Sequence, residues 1–253
     1  MIAIHLVMPM AGRGSRFGKA GFDLPKPLLV LAGQPFFWWA AQSVCRSVEI
    51  RSMTFVVLAE HIQRHGIDMA IRDRYADARL VVLDEPTSGA LVTAVAGCRA
   101  LPGDGPVVVN DCDHAFDGTA MAETISRPRT WTSGFLCHFR SRDPAYSYAA
   151  YDAEGRLLRT VEKQPISDLA IAGAYGFRDR DAFLEHAIQY EQECPYAEPF
   201  MSGVYNTIVA GGGHVAGCLL DRHISFGTPE EFQRAQDDMN AFRAWLPEKA
   251  SDR

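Results

Sequence analysis

The chain has 253 residues, 47% of them apolar and 22% charged, with a formal net charge of -6. That balance predicts one globular domain with a sizeable core and argues against a general nucleic-acid binder, which carries a basic surplus. The six cysteines (Cys45, Cys98, Cys112, Cys137, Cys194, Cys218) form no Cys-x-x-Cys pair and no zinc spacing, so they read as buried free thiols of a reducing cytosol. The N-terminus runs straight into a strand without signal-peptide features, and no apolar run is long enough to span a bilayer. The expectation is a cytoplasmic protein with no membrane or nucleic-acid partner.

In chain order, Ile2–Val7 is an apolar run and reads as a buried strand. A loop with Gly12, Arg13, Gly14, Ser15, Arg16 and Gly18 follows, and then Lys26 fixed between Pro25 and Pro27. Such a loop can present backbone N–H groups and cations to phosphates. It is neither a Walker A loop nor a dinucleotide fingerprint, because the required lysine and third glycine are missing at their spacings. The flanking prolines restrict the backbone around Lys26 and lower the entropy cost of holding its ammonium in place.

Past a turn at Gly33-Gln34-Pro35, Phe36 to Val48 alternates at helical spacing. Its aromatic run, Phe36-Phe37-Trp38-Trp39, reads as core packing. Met53–Ala59 reads as a strand, His61–Tyr75 as a helix and Arg79–Leu83 as another buried strand. Thr87-Ser88-Gly89 can cap a helix over Ala90–Ala100, and Gly105–Asn110 is a further buried strand. Alternating β and α with near-continuous apolar strands predicts a mostly parallel sheet covered on both faces. Ligands then bind outside the carboxyl ends of the strands. Both the glycine loop and the acidic segment Asp111-Cys112-Asp113 follow strand ends, so they should face one crevice.

The second half changes character. Thr130–Phe139, Tyr146–Asp152 and Arg156–Glu162 read as antiparallel strands, and Ala170–Phe177 as another. Asp179–Glu193 and Glu198–Ala210 read as helical, His214–Leu220 as a strand and Pro229 to Trp245 as the last helix, capped by Thr228 or Ser225. The tail from Pro247 is polar and expected to fray. The division expected is a single domain over 1–253: a nucleotide-binding half at 1–128, an acceptor-binding half at 129–232, and a C-terminal helix and tail at 233–253.

Asp111 and Asp113 lie two apart at the end of an apolar strand, so both carboxylates point the same way. They would repel unless a cation intervenes, and one or two carboxylates completed by phosphate oxygens and water is a magnesium donor set. The alternative is an aspartate turn that caps the next element. The remaining histidines show no ligand pairing in the sequence.

Taken together, Gly12-x-Gly14-x-Arg16 after a first strand, Pro25-Lys26-Pro27 and Gly33-Gln34-Pro35 resemble the nucleotidylyltransferases that activate sugar phosphates. Five later segments extend the resemblance: Thr87-Ser88-Gly89-Ala90, Val109-Asn110-Asp111-Cys112-Asp113, Val161-Glu162-Lys163, Gly173-Ala174-Tyr175-Gly176-Phe177 and Gly227-Thr228-Pro229-Glu230. They span roughly Ile2 to Phe232 in the family's order. The resemblance implies a Rossmann-like, mixed but mostly parallel α/β sheet flanked by helices, with a smaller antiparallel acceptor-binding subdomain. It implies transfer of a nucleoside monophosphate from a nucleoside triphosphate to a small phosphorylated acceptor, with Mg2+ as cofactor. Surface-glycan synthesis (capsule or lipopolysaccharide) is the process it suggests, and a homo-oligomer stays open.

The same resemblance implies the roles of single residues. Arg16, Lys26 and Asp113 would be catalytic. Met10, Ala11, Gly12, Arg13, Gly14, Ser15, Ser88, Gly89 and Asp111 would contact the nucleotide. Glu162, Lys163, Gly173, Tyr175 and Glu198 would line the acceptor site. Asp113, assisted by Asp111, would hold the metal. One departure stands out: the family's second metal aspartate, two residues before the Gly-Thr-Pro glycine, is Ser225 here. Fewer protein ligands, replacement by Asp221 or His223, or impaired catalysis are the options. Two other functions stay open: a glycosyltransferase that uses Asp111-Cys112-Asp113 as its Asp-x-Asp, and a catalytically silent nucleotide-binding regulator.

Overall fold

The computed structural model describes residues 2–245, with side chains to residue 238. The chain runs β1 (Ile4–Pro9), α1 (Ser15–Lys19), β2 (Val30–Leu31), β3 (Gln34–Pro35), α2 (Phe36–Cys45), β4 (Ile50–Leu58), α3 (Ala59–His65), α4 (Ile67–Arg72), β5 (Arg79–Leu83), α5 (Ala90–Arg99), β6 (Val107–Asn110), β7 (His114–Phe116) and α6 (Thr119–Ile125). It continues through β8 (Gly134–Arg140), β9 (Ser147–Tyr151), β10 (Leu157–Glu162), β11 (Leu169–Phe177), α7 (Arg180–Glu193), α8 (Val204–Ala210), β12 (Val215–Leu219), β13 (His223–Ser225) and α9 (Pro229–Trp245).

The architecture is mixed α/β, as the alternating first half predicts. One sheet runs β10-β9-β11-β6-β1-β4-β5, and β8 and β12 join it through β11. The β6-β1-β4-β5 portion is parallel. The strand β11 enters antiparallel to β6 and carries β8 and β9 on its far side. Because β1 is buried on both faces, neighbouring residues feed different cores: Leu6 and Met8 pack with Phe37, Val44 and Phe55, and Val7 packs with Leu91, Ala94 and Val109. Helices therefore cover both faces. The run Phe36-Phe37-Trp38-Trp39 is core, with Phe36, Phe37 and Trp39 buried and the Trp39 indole N–H donating to the Leu31 carbonyl at 2.8 Å. No helix among the described residues is long and apolar enough to cross a membrane.

Several local expectations need correction. The helix expected over His61–Tyr75 is two helices broken at Gly66, a poor helix former. The strand β5 lies at the sheet edge with Val82 exposed, so it is not buried on both faces. No side chain caps α5; Thr87 Oγ1 instead binds the Gly89 carbonyl and Thr93 Oγ1. The strand expected from Thr130 begins at Gly134, since Pro128–Thr130 forms a tight 3-10 turn. The helix expected from Glu198 starts only at Val204, because Pro199 keeps Glu198 out of the helical region. The α9 cap is Thr228, whose Oγ1 accepts from Glu231 N at 3.2 Å. Four of the six free cysteines are buried, and Cys45 and Cys194 are half-buried. The tail from Pro247 lies outside the described residues.

Candidate active site

The loop after β1 leaves the sheet's carboxyl edge. Gly14 turns it in the left-handed region (φ 59°) into α1, whose Phe17 is buried edge-on against Phe22, Phe36 and Phe232. That aromatic anchor ties the exposed glycine loop to α2 and α9. Residues Lys26–Leu28 form a short 3-10 turn, with extended Pro25 before it and Leu28 N donating to Pro25 O at 2.9 Å. Lys26 is thereby aimed across at the end of β6, where its Nζ donates to Asp113 Oδ2 at 2.8 Å.

Three cavities meet around the two aspartates. The first, about 460 Å³, is lined by Met10, Gly12, Arg13, Gly14, Lys26, Thr87, Ser88, Gly89, Asp111, Asp113 and Glu198, among others. The crevice expected between the glycine loop and the acidic segment is present. The second, about 220 Å³, includes Arg16, Lys26, Asp111, Asp113, Gly173, Tyr175 and Ser225. The third, about 280 Å³, includes Arg16, Asp111, Glu162, Lys163, Tyr175, Glu198 and Phe200. Asp111 borders all three. Of the residues expected at the site, Ala11 and Ser15 are the ones that line none of them: Ala11 is buried beneath the loop and Ser15 opens α1. Arg13 lines the first cavity and Arg16 the other two.

The carboxylates differ because their surroundings differ. Burial pushes both upward, but for Asp113 the Lys26 ammonium and its hydrogen bond outweigh burial and hold the carboxyl below its ordinary value. Burial and then the Asp113 charge push Asp111 up to about 7, against the pull of Lys26. Burial also pulls Lys26 down, yet the Asp113 charge and the other neighbours outweigh it and the net direction is up. One ammonium does not offset two carboxylates, so Asp111 resists ionising unless a further cation arrives. Two carboxylates on one cavity wall, only one of them paired with a cation, fit a magnesium donor set. Among the described residues no group of three or more His, Cys, Asp or Glu forms a complete protein cage, so substrate oxygens and water would have to finish the coordination. Asp221 is exposed and lines none of these cavities, whereas His223 lines the second.

The residues expected on the acceptor side are placed by irregular backbone. The register of β11 against β8 shifts between Ile171 and Tyr175, a bulge containing Gly173 (φ 73°). Asp111 N donates to Gly173 O at 2.8 Å, and a side chain on Gly173 would meet Asp111 Oδ2 at 2.9 Å. Glycine is required here both for its conformation and for its lack of Cβ. Lys163 holds a positive φ of 53°, uncommon for a long side chain and costing about 1–3 kcal/mol. Its N–H donates to Tyr146 O at 3.1 Å and its Nζ lies 5.6 Å from the Phe200 ring centre. Glu162 accepts from Ser202 Oγ.

Several site residues were not expected from the sequence. Tyr146 and Glu231 line the second cavity and bond to each other. Two histidines bond each other: His114 Nδ1 lies 3.2 Å from His223 Nε2, and His114 Nε2 bonds Asn110 Oδ1 at 3.1 Å. Burial pushes His114 down to about 4, partly offset by Asp113. His114 and His223 meet because β7 pairs with β13, two three-residue strands 109 residues apart with no alternation to read. Glu231 had one sequence signal, the Thr-x-x-Glu spacing of a capping box from Thr228.

Residues 7–172 match the MobA-like NTP transferase domain. The chain belongs to that family. This NTP transferase also resembles solved structures over nearly its full length. It is 25% identical to the nucleoside-diphosphate-sugar pyrophosphorylase from Vibrio cholerae RC9, covering 92% of this chain and 99% of that one, with a TM-score of 0.77. It shares its fold with the inositol-1-phosphate CTP transferase from T. maritima at 13% identity, with 99% and 98% of the two chains covered and a TM-score of 0.78. No curated protein matches it in sequence. The chain is an enzyme of the nucleotidyltransferase type.

Proposed function

We propose that this NTP transferase moves a nucleoside monophosphate from a nucleoside triphosphate onto a small phosphorylated acceptor and releases pyrophosphate. The observation that carries the reading is the Lys26–Asp113 pair at the floor of a cavity shared with the glycine loop, with two further cavities opening across Asp111. An acceptor phosphate oxygen attacks the α-phosphorus in line. The bond from the α-phosphorus to the α–β bridging oxygen breaks, and the electron pair leaves on pyrophosphate. No covalent protein intermediate is needed; positioning and charge stabilisation suffice.

In this reading Met10 to Ser15, Ser88 and Gly89 hold the nucleotide, with Gly12 and Gly14 offering backbone N–H groups to the phosphates. Lys26 holds the α-phosphate, and Arg16 supplies countercharge to the departing pyrophosphate. Asp113 and Asp111 would hold Mg2+, which when bound would spread the phosphate charge and lower its repulsion toward the attacking oxygen. Lys163 takes the acceptor phosphate, beside Glu162, Gly173, Tyr175 and Glu198. Residues 1–128 form the nucleotide half and 129–232 the acceptor half. A cytoplasmic role in making activated precursors of surface glycans fits that chemistry.

The test is a screen of the four nucleoside triphosphates against hexose 1-phosphates, heptose phosphates and phosphocholine, read by pyrophosphate release. Pyrophosphate formed only when both substrates are present supports the proposal. Glycosyl transfer from a nucleotide sugar, or tight nucleotide binding without turnover on any acceptor, overturns it.

A further inference from the structure

Glu231 lies in the first turn of α9, outside the 7–172 stretch that matches the family, and is 8% exposed. Its two carboxylate oxygens face different walls of the site. Oε2 accepts from Gly227 N at 3.0 Å and from Thr228 N at 3.1 Å, and Glu231 N returns a bond to Thr228 Oγ1. That reciprocal arrangement is a capping box. A cap needs only one of the oxygens, and the second, Oε1, accepts from the Tyr146 hydroxyl, 85 residues away in the β8–β9 connection.

Each end of this clasp abuts a group with a proposed chemical task. The Gly227 turn presses on Asp113: a Cβ on Gly227 would overlap Asp113 Oδ2, the oxygen that holds Lys26, and Phe226 N donates to Asp113 O at 2.9 Å. At the other end, Tyr146 packs edge-on to Phe139 at 5.0 Å, and its carbonyl accepts from Lys163 N, the residue with the left-handed backbone. Burial and then the Glu231 bond push the Tyr146 phenol upward, so it stays a protonated donor.

We infer that Glu231 is a positioning residue that fixes the Asp113–Lys26 pair and the Tyr146–Lys163 acceptor wall in one geometry. This rests on the nucleotidyl-transfer reading above. Physically, a buried carboxylate that spends its lone pairs on three donors from two walls makes displacement of either wall cost a hydrogen bond at the other. The fold needs no such tie, since α9 already packs through Phe232 and Ala235.

Three full-length variants test the inference: Glu231→Ala, Glu231→Gln and Tyr146→Phe. Steady-state pyrophosphate release is measured with the phosphate from the panel above that wild type turns over fastest. Tyr146→Phe keeps the ring and the backbone bond to Lys163, so it is expected to raise acceptor KM about tenfold with kcat within twofold and nucleotide KM unchanged. Glu231→Ala loosens both walls, and is expected to lower kcat about a hundredfold and raise acceptor KM. Glu231→Gln, which can still accept from the two turn amides and bond Tyr146, is expected to recover kcat to within about fivefold of wild type. Hydrogen exchange at the Gly227 and Thr228 amides gives a readout that does not depend on turnover: faster in Glu231→Ala, near wild type in Glu231→Gln. Wild-type kinetics in both Glu231→Ala and Tyr146→Phe overturn the inference. So does unchanged amide exchange in Glu231→Ala. Silent wild-type enzyme with the expected exchange pattern instead removes the nucleotidyl-transfer reading and leaves the clasp standing.

Discussion

The two sides of the site are built differently. The proposed nucleotide side is assembled from segments that each directly follow a strand of the parallel sheet: the glycine loop after β1, Thr87 to Gly89 after β5, and Asp111 to Asp113 after β6. The proposed acceptor side draws on a bulge in β11, a left-handed lysine after β10, the irregular stretch before α8, and the β13–α9 turn. One is a set of local loops on a regular scaffold. The other exists only once four distant segments have packed. On the proposed reading, chemistry common to many substrates sits on the regular scaffold, and the proposed acceptor wall sits where backbone irregularity can re-aim single side chains.

The largest expected effect falls on the shared floor. Lys26→Ala or Asp113→Ala should lower pyrophosphate release by at least about a thousandfold, the scale of removing a preorganised charge from a transferring phosphate. Circular dichroism and thermal melts should show the fold intact, because both side chains are partly exposed and neither fills the core. Near wild-type rates in both would remove the distinction between floor and walls.

A second effect is read by pH. His138, on β8 of the acceptor side, is buried and pushed down to about 3, and its Nδ1 has no partner. A histidine with a depressed folded value stabilises fully above its unfolded value near 6.5 and loses that contribution as pH falls toward 3. Its share of the loss should reach about 2 kcal/mol by pH 5. Denaturant melts from pH 7 to 5 should show the decline, to which buried His114 also contributes, and His138→Gln should remove about 2 kcal/mol of it. An equal slope in both proteins would place the acid sensitivity elsewhere.

The smallest effect tests the acceptor wall alone. Lys163→Ala should raise acceptor KM about tenfold, the loss of one charge-assisted bond of about 1.5 kcal/mol, with nucleotide KM unchanged. Lys163→Gly should show the same KM change with slightly higher stability, because glycine relieves the positive φ. A parallel rise in nucleotide KM would mean that the two sides are not separable as drawn.

Much of the nucleotide side was legible from the chain. An apolar run ending in a glycine loop, and another ending in Asp111-Cys112-Asp113, place both loops at the same sheet edge once the βα alternation is recognised. Pro25 and Pro27 mark Lys26 as a held cation because they restrict the backbone on either side of it. The acceptor side was legible only as short motifs. Glu162, Lys163, Gly173 and Tyr175 could be picked out, but neither the bulge that seats Gly173 against Asp111 nor the left-handed backbone of Lys163 leaves a period in the sequence. His114 and Tyr146 could not be found that way, because their partners are 109 and 85 residues distant, and the cap spacing that marks Glu231 says nothing of its bond to Tyr146.

The sequence by itself determined the alternating strands and helices, both cores and the loops at the strand ends. Hydrophobic periodicity and turn chemistry act over a few residues and are written locally. Only the tertiary structure decided that Lys26 reaches Asp113, that Asp113 and Asp111 take opposite pKa directions, and that one glutamate touches both walls. Those outcomes depend on burial, charge proximity and close approach between segments joined by no local pattern.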